Sequence, residues 1–209
     1  TINYFNNTTE DLLITKRLAP SAGLENPTLN VGKMRNTGLE FEFTYAESSG
    51  DFKYNVGFNV SLLKNKMVAL ADEEQILLET GLKFGTELFP NQTRVGYPIG
   101  AFFLYKTDGI FQTEAEVNAH RNDKGELLQE NAKPGDIRFA DTNGDGVIDD
   151  NDKVYSGTGL PKAEINLTLG ASFKGFDFSA LIGSGWGHKL YNANRYFYEG
   201  MNSGSNFLA

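Results

Sequence analysis

The sequence predicts an all-β fold of antiparallel hairpins, and three observations predict it. Apolar and polar residues alternate with a period of two over several segments, as in strands with one apolar and one polar face. Pairs of these segments are joined by very short turns. The 209 residues include 23 Gly, 9 Tyr and 16 Phe but only 6 Pro, which favours strands and turns over helices.

In chain order, INYF and LLITKRL predict a weaker pair of strands with the polar stretch NNTTED as the turn between them. Leu39, Phe41, Phe43 and Tyr45 then alternate with Glu40, Glu42 and Thr44. After the turn Ser48-Ser49-Gly50-Asp51, the residues Tyr54, Val56, Phe58, Val60 and Leu62 alternate with Asn55, Gly57, Asn59 and Ser61. Much later, Ile165, Leu167, Leu169, Ala171 and Phe173 alternate with Asn166, Thr168, Gly170 and Ser172. Across Lys174-Gly175, the residues Phe176, Phe178, Ala180 and Ile182 alternate with Asp177, Ser179 and Gly183.

Strands are thus expected over about residues 1–63 and 164–185, with one long irregular connection over about residues 64–163. Within it ADEEQILLETGLKF suggests a short helical turn, and TEAEVNAHR opens with Thr113 as an N-cap and an acidic first turn. GAFFLYKTDGIF is apolar and aromatic between Gly100 and Gly109. A connection of this length is functional or has structure of its own.

Bulk properties exclude several functions. The formal net charge is −8 and the sequence pI about 4.8, so nucleic acid is not expected as a partner. With no cysteine there is neither a disulfide framework nor a thiolate metal site. No apolar run approaches the ~20 residues of a membrane helix. The chain opens on Thr1 with no signal peptide, as expected of a mature or excised piece.

Two kinds of sheet fit the alternation. A soluble sandwich would bury the Phe and Val face against a second sheet. A transmembrane β-barrel would turn that face to lipid and leave Glu40, Glu42, Asn55 and Asn59 in a wet lumen. The alternating segments are 9 to 11 residues long, the length of a membrane strand. Tyr45, Phe52 and Tyr54 flank one short turn and Phe173, Phe176 and Phe178 the other, like an interfacial girdle. Short turns with one long loop also suit a barrel whose loop is extracellular. Leu63 and Ala163 then lie at the same outer rim.

The twelve residues DTNGDGVIDDND, 141–152, follow a calcium-loop pattern position by position. Asp141, Asn143 and Asp145 take positions one, three and five, and Gly146 the sharp turn at six. Val147 offers a backbone carbonyl at seven, Asp149 stands at nine and Asp152 at twelve, where glutamate is usual. Ile148 is expected to anchor the loop. All donors are oxygens, which suits a hard cation. The flanking DIRFA and KVYSG look extended, so calcium is expected as a structural staple and not as a switch between two helices. A plain solvated turn is the competing account, since Asp, Asn and Gly are turn residues.

No catalytic residue is expected. His120 and His188 lie far apart, and no serine has nucleophile-elbow spacing. Glu40 and Glu42 share a face and superficially resemble a glycosidase pair, but lumen lining accounts for them. Gly183, Gly185 and Gly187 in GSGWG lack the βαβ context of a nucleotide site, and Trp186 suits a rim aromatic.

Four phrases are familiar together: NVGKMRNTGLEFEFTY (30–45), VGYPIGAFFLYKTDGIFQTEAEV (95–117), AKPGDIRFADTNGDGVIDDNDK (132–153) and GLPKAEINLTLGASFKGFDFSALIGSGWGHKLYN (159–192). In this order they resemble the C-terminal part of the β-barrel of SusC/RagA-type TonB-linked (TonB-dependent) outer-membrane transporters. The resemblance implies a 22-stranded barrel in the outer membrane of a Gram-negative, Bacteroidetes-like bacterium. It implies import of glycans or oligosaccharides, or of peptides in some members, with a SusD-like lipoprotein as lid. It implies coupling to TonB through an N-terminal plug, and on this expectation plug and last strands lie outside the 209 residues. The calcium loop carries over to Asp141, Asn143, Asp145, Val147, Asp149 and Asp152. No substrate-binding residue carries over. Phe102, Phe103, Tyr105 and Asp108 are candidates in the long segment, with packing inside the loop as their competing role. The alternative is a soluble or surface-displayed calcium-stabilised β binding module.

Overall fold

The structure, a computed structural model, describes residues 1–15, 28–70, 76–78, 90–192 and 194. The chain divides into two compact units, Thr1–Ala101 with Thr158–Ala209, and Phe102–Gly157.

The first unit is dominated by one antiparallel sheet. Strand β1 runs Ile2–Thr15, β2 Thr28–Glu47 and β3 Phe52–Ala69. Short strands β4 (Ile76–Leu78) and β5 (Asn91–Arg94) pair with each other. Five further strands follow, β6 (Ala101–Tyr105), β7 (Thr107–Ile110), β8 (Ile137–Phe139), β9 (Lys153–Gly157) and β10 (Ala163–Phe173), and then β11 (Phe176–Trp186). One helix, α1 (Glu114–Ala119), stands between β7 and β8. The large sheet has the order β1-β2-β3-β10-β11.

Both expected hairpins form. Lys174 and Gly175 have φ of 48° and 84°, as the two central residues of a type I′ turn require. That twist matches the strands it joins, so β10 and β11 pair from Phe173↔Phe176 to Ala163↔Trp186 without a break. β3 and β10 are also neighbours, with Leu62 opposite Ala163, and the Leu63 N–H donates to the Lys162 carbonyl at 2.9 Å. The long segment therefore leaves and re-enters the sheet at one end.

The expected N-terminal pair of strands is not there. Residues 2–15 form one strand along β2, and Asn6, Asn7, Thr8 and Thr9 of the expected turn pair with Thr37, Asn36, Arg35 and Met34. The stretch bends only at a bulge where Asp11 has φ 57°. Main-chain bonds to a longer partner hold this polar segment extended, which a side-chain pattern does not reveal. β2 begins at Thr28 and β3 continues to Ala69, six residues beyond the expected boundary at 63. The connection is thus not irregular throughout. The helical turn expected in ADEEQILLETGLKF falls mostly outside the described residues, and Ile76–Leu78 within it is a strand.

The second unit has a small core of Phe102, Phe103, Phe111 and Val117, with Asp152 and Lys153 buried beside them. Helix α1 starts as expected. The Thr113 hydroxyl accepts from Glu116 N at 3.3 Å, and the Glu116 carboxylate accepts from Gln112 N at 2.8 Å. β6 pairs with β9 and β7 with β8, so the segments flanking the acidic loop are extended.

Candidate functional site

The large sheet carries two chemically opposite faces, and register aligns them across all five strands. On one face lie the rows Tyr4–Leu39–Leu62–Ala163–Trp186, Ile2–Phe41–Val60–Ile165–Ser184, in which Ser184 is the polar member, and Phe43–Phe58–Leu167–Ile182. Tyr45–Val56–Leu169–Ala180 follows, and Tyr54–Ala171–Phe178 closes the band above Phe52–Phe173–Phe176 at the turns. Rings meet across strands, with Phe41 and Phe58 at 6.4 Å and Phe52 and Phe173 at 6.3 Å. Among the described residues nothing covers this face: Phe43 is 50 % exposed, Phe178 60 % and Trp186 61 %. A soluble sandwich would have buried these side chains.

The band has a defined height. From Phe52 to Leu62 the strand covers about 33 Å at ~3.3 Å per residue. Tilted by ~40°, that is about 25 Å, the height of the apolar belt of an outer-membrane barrel. Aromatics mark both borders, with Tyr45, Phe52, Tyr54, Phe173, Phe176 and Phe178 near the turns and Tyr4 and Trp186 at the loop end. The expected girdle lay at the turns and Trp186 was expected at a rim, but Tyr4 in the same row was missed. Tyr4 keeps the phase of Ile2, and that signal was present in INYF.

The opposite face is polar over the same strands. Its rows are Asn3–Glu40–Ser61–Glu164, Glu42–Asn59–Asn166–Gly183 and Thr44–Gly57–Thr168–Leu181, with exposed Leu181 the apolar exception. Asn3 Nδ2 donates to Glu40 Oε2 at 3.0 Å, and Asn166 Nδ2 to Asn59 Oδ1 at 2.9 Å. Glu40 and Glu42 thus fall into different rows of a polar lining, and Glu40 bonds an amide.

In the second unit the acidic loop is ordered by its own backbone. Asp141 accepts from Gly144 N at 2.6 Å and Gly146 N at 2.8 Å, Asn143 from Asp145 N at 2.8 Å, and Asp145 from Val147 N at 2.9 Å. Asp149 caps the 3-10 turn Asp150–Asp152. Fully buried Asp152 accepts from Thr142 N at 2.7 Å and Asp149 N at 2.8 Å, and takes the Thr142 hydroxyl at 3.4 Å. Burial alone would raise its carboxyl, but the N–H bonds from Asp149, Thr142 and Asn143 outweigh it, so Asp152 titrates below the usual aspartate range. Gly146, at φ 87°, has Asn122 3.2 Å from where a Cβ would stand, and Asn122 Nδ2 donates to the Gly146 carbonyl at 3.0 Å. Ile148 is half-buried, in keeping with an anchor, and Val147 is 58 % exposed.

The donor chemistry suits calcium. The side chains supply only oxygens, and a carboxylate has about four lone-pair sites, of which these N–H groups use one to three. Among the described residues, however, no three His, Cys, Asp or Glu side chains gather as a metal-ligating group. The loop is an array of turns with its acids spread along it.

A scan against protein-family models finds no match. Curated proteins do match. TonB-dependent receptor P3 of Formosa agariphila is 27% identical over 191 residues, covering 91% of this chain and 19% of its own length. TonB-dependent receptor P26 of the same organism is 28% identical over 205 residues, covering 95% of this chain and 20% of its own. TonB-dependent receptor SusC of Bacteroides thetaiotaomicron is 25% identical over 194 residues, covering 90% and 17%. This chain is similar to TonB-dependent receptors, SusC among them. It spans about a fifth of the length of the curated relatives it matches. Solved structures share the fold: the RagAB peptide transporter has a TM-score of 0.65 at 20% identity over 95% of this chain and 20% of its own. The closed-closed state of the RagAB peptide importer has a TM-score of 0.68 at 18% identity, over 97% and 21%.

The remaining candidates have structural surroundings. His120 packs on Phe111 at 5.5 Å and shares a 3.0 Å hydrogen bond with the Phe139 carbonyl, whereas His188 is exposed. Phe102 and Phe103 are buried and sit opposite Gly157 and Tyr155. Asp108 pairs with Arg138 at 3.1 Å. The Tyr105 hydroxyl donates to Asp150 at 3.1 Å, and burial, with that carboxylate beside it, pushes its pKa up to about 12. Lys153, buried, reaches the same Asp150 oxygen at 2.6 Å. That ion pair between buried Lys153 and exposed Asp150 was missed, because a lysine next to an acidic run reads as a solvated charge. The relatives are receptors by name, in line with the expectation of no catalysis.

Proposed function

We propose that the chain is a sector of a 22-stranded outer-membrane importer barrel in a Bacteroidetes-like bacterium. One observation carries this: apolar rows cross five strands on a face about 25 Å tall that no described residue covers, while the reverse face is mainly polar, with Leu181 its exposed apolar exception. The apolar rows meet lipid and the polar rows line the lumen. The long segment joins β3 and β10 at the outer end and is extracellular, where it faces a SusD-like lipoprotein lid. TonB acts through a plug outside these 209 residues.

For cargo we favour glycans or oligosaccharides. Carboxylates, amides and hydroxyls such as Glu40, Glu42, Asn59, Thr168 and Glu164 offer hydrogen bonds along the wall. Peptide is the rival, since the solved relatives are a peptide importer. Uptake of labelled oligosaccharides against labelled peptides by cells with and without the protein separates the two. Loss of peptide uptake alone on deletion removes the glycan proposal.

The native chain has no cysteine, so single cysteines are clean probes. Fluorophores at Phe43, Phe58 and Leu167 should be quenched by nitroxide lipids in vesicles, and those at Glu42, Asn59 and Thr168 by iodide in water. Water quenching at all six positions would sink the barrel.

We also propose calcium as a staple of the acidic loop, held by Asp141, Asn143, Asp145, the Val147 carbonyl, Asp149 and Asp152. Five carboxylates within twelve residues repel one another, and among the described residues Lys153 pairs with only one of them, Asp150. Bound calcium would supply the missing positive charge. Calcium should raise the Tm of the unmutated protein and not that of Asp145→Ala. An unchanged Tm in the unmutated protein removes the metal.

A further inference from the structure

We propose that Arg35, Lys64 and Lys66 bind the phosphate headgroup of a membrane lipid at the loop-end border of the apolar band. The inference rests on the lipid-facing role of that band. No register shift interrupts the β2–β3 pairing between Met34 and Glu47, so face alternation is unbroken from the band into these residues. The row Asn6–Thr37–Lys64 lies directly beyond Tyr4–Leu39–Leu62, and Thr8–Arg35–Lys66 comes next on the same face.

Arg35 and Lys66 stand directly opposite each other, an arrangement that is destabilising for like charges unless an anion lies between them. All three cations are exposed, and among the described residues none has a carboxylate partner. Lys33, Arg138 and Lys153 each do have one. Carboxylates are not scarce, at 27 Asp and Glu against 19 Lys and Arg, so the unpaired cluster stands out from the chain's acidic balance. Exposed Asn6 and Thr8 add neutral donors beside the cations.

The apolar row Tyr4–Leu39–Leu62 lies next to these cations on the same face, so a ligand whose anionic head they hold has apolar side chains beside it for its tail, which is the chemistry of a phospholipid. Guanidinium and ammonium groups supply the charge-assisted bonds a phosphate takes.

The protein in neutral detergent is titrated with dihexanoyl phosphatidylglycerol, dihexanoyl phosphatidylcholine or inorganic phosphate, following Tm. Phosphatidylglycerol should raise Tm saturably, and the other two should not. In R35Q/K64Q/K66Q the half-saturating concentration should rise on the order of a hundred-fold, at roughly five-fold per cation. Without lipid the same variant should melt at or above the Tm of the unmutated protein, since it relieves repulsion. K53Q/K174Q, which removes two cations at the turn end, should respond normally. The inference is overturned if the triple variant keeps its response, if the turn-end variant loses as much, or if inorganic phosphate alone gives the same shift. Cysteine probes on the same protein separate the two levels. Water quenching at Phe43 removes the lipid face and this site with it, whereas lipid quenching there with an unchanged triple variant removes this site alone.

Discussion

At the scale of single residues, Asp152 is the hinge of the acidic loop. Its carboxylate is buried yet receives the N–H groups of Thr142, Asn143 and Asp149 and the Thr142 hydroxyl. Because its folded pKa lies below the usual value of 3.8, the stability it contributes is present above that pH and is lost as pH falls through the lower folded value. Hydrogen exchange of residues 141–153, measured in a calcium chelator, should therefore accelerate as pH drops below about 3.8 after correction for intrinsic rates. Asp152→Asn puts an NH₂ against backbone donors and should cost about 1–3 kcal/mol at pH 7. Most of the acid dependence should vanish with it, and an unchanged profile in the variant would refute the role. Spacing alone marked this position as a candidate ligand. Which N–H groups it satisfies was not legible, because they come from Thr142, Asn143 and Asp149 only after the loop has folded back.

At the scale of elements, alternation made the strands legible wherever the apolar band passes. Side chains there must divide between two solvents, and the period of two follows. Outside the band this division no longer holds, with Lys64 and Lys66 exposed and Met67 buried on β3, and the constraint lapses. That is why NNTTED, a turn by composition, is strand along β2, and why β3 continues through Lys64 and Lys66 to Ala69. Short strands of the second unit were legible only as flanks of the acidic loop. The band is testable by one-residue contrast. Phe43 lies in the middle row with Phe58, Leu167 and Ile182. Phe43→Arg should lower unfolding stability in vesicles by about 2–4 kcal/mol, while Thr44→Arg, one residue on, should cost about 1 kcal/mol or less. Equal costs at the two positions, read from urea unfolding, would mean that both faces see the same medium.

At the scale of the whole chain, no described residue covers the apolar face of the sheet, and among the described residues β1 and β11 are its outermost strands. Outermost strands present unpaired N–H and C=O groups that accept further strands, and an apolar face of this extent demands lipid, detergent or another protein. Length and acidity said nothing of this, since a net charge of −8 also suits a well-behaved soluble domain. What distinguishes the two cases is where the polar and apolar rows lie, not their proportions. The 209 residues produced alone should therefore self-associate in plain buffer, by edge pairing and by covering the face. In a neutral detergent the face is satisfied but the edges are not, so association should fall without vanishing. Adding Phe41→Ser, Phe58→Ser and Leu167→Ser should reduce association in buffer more than in detergent, because it acts on the face and leaves the edges intact. Light scattering in both media reads the difference. A monodisperse monomer of the unmutated chain in plain buffer would show that the face is covered from within, and would return the molecule to the soluble binding module.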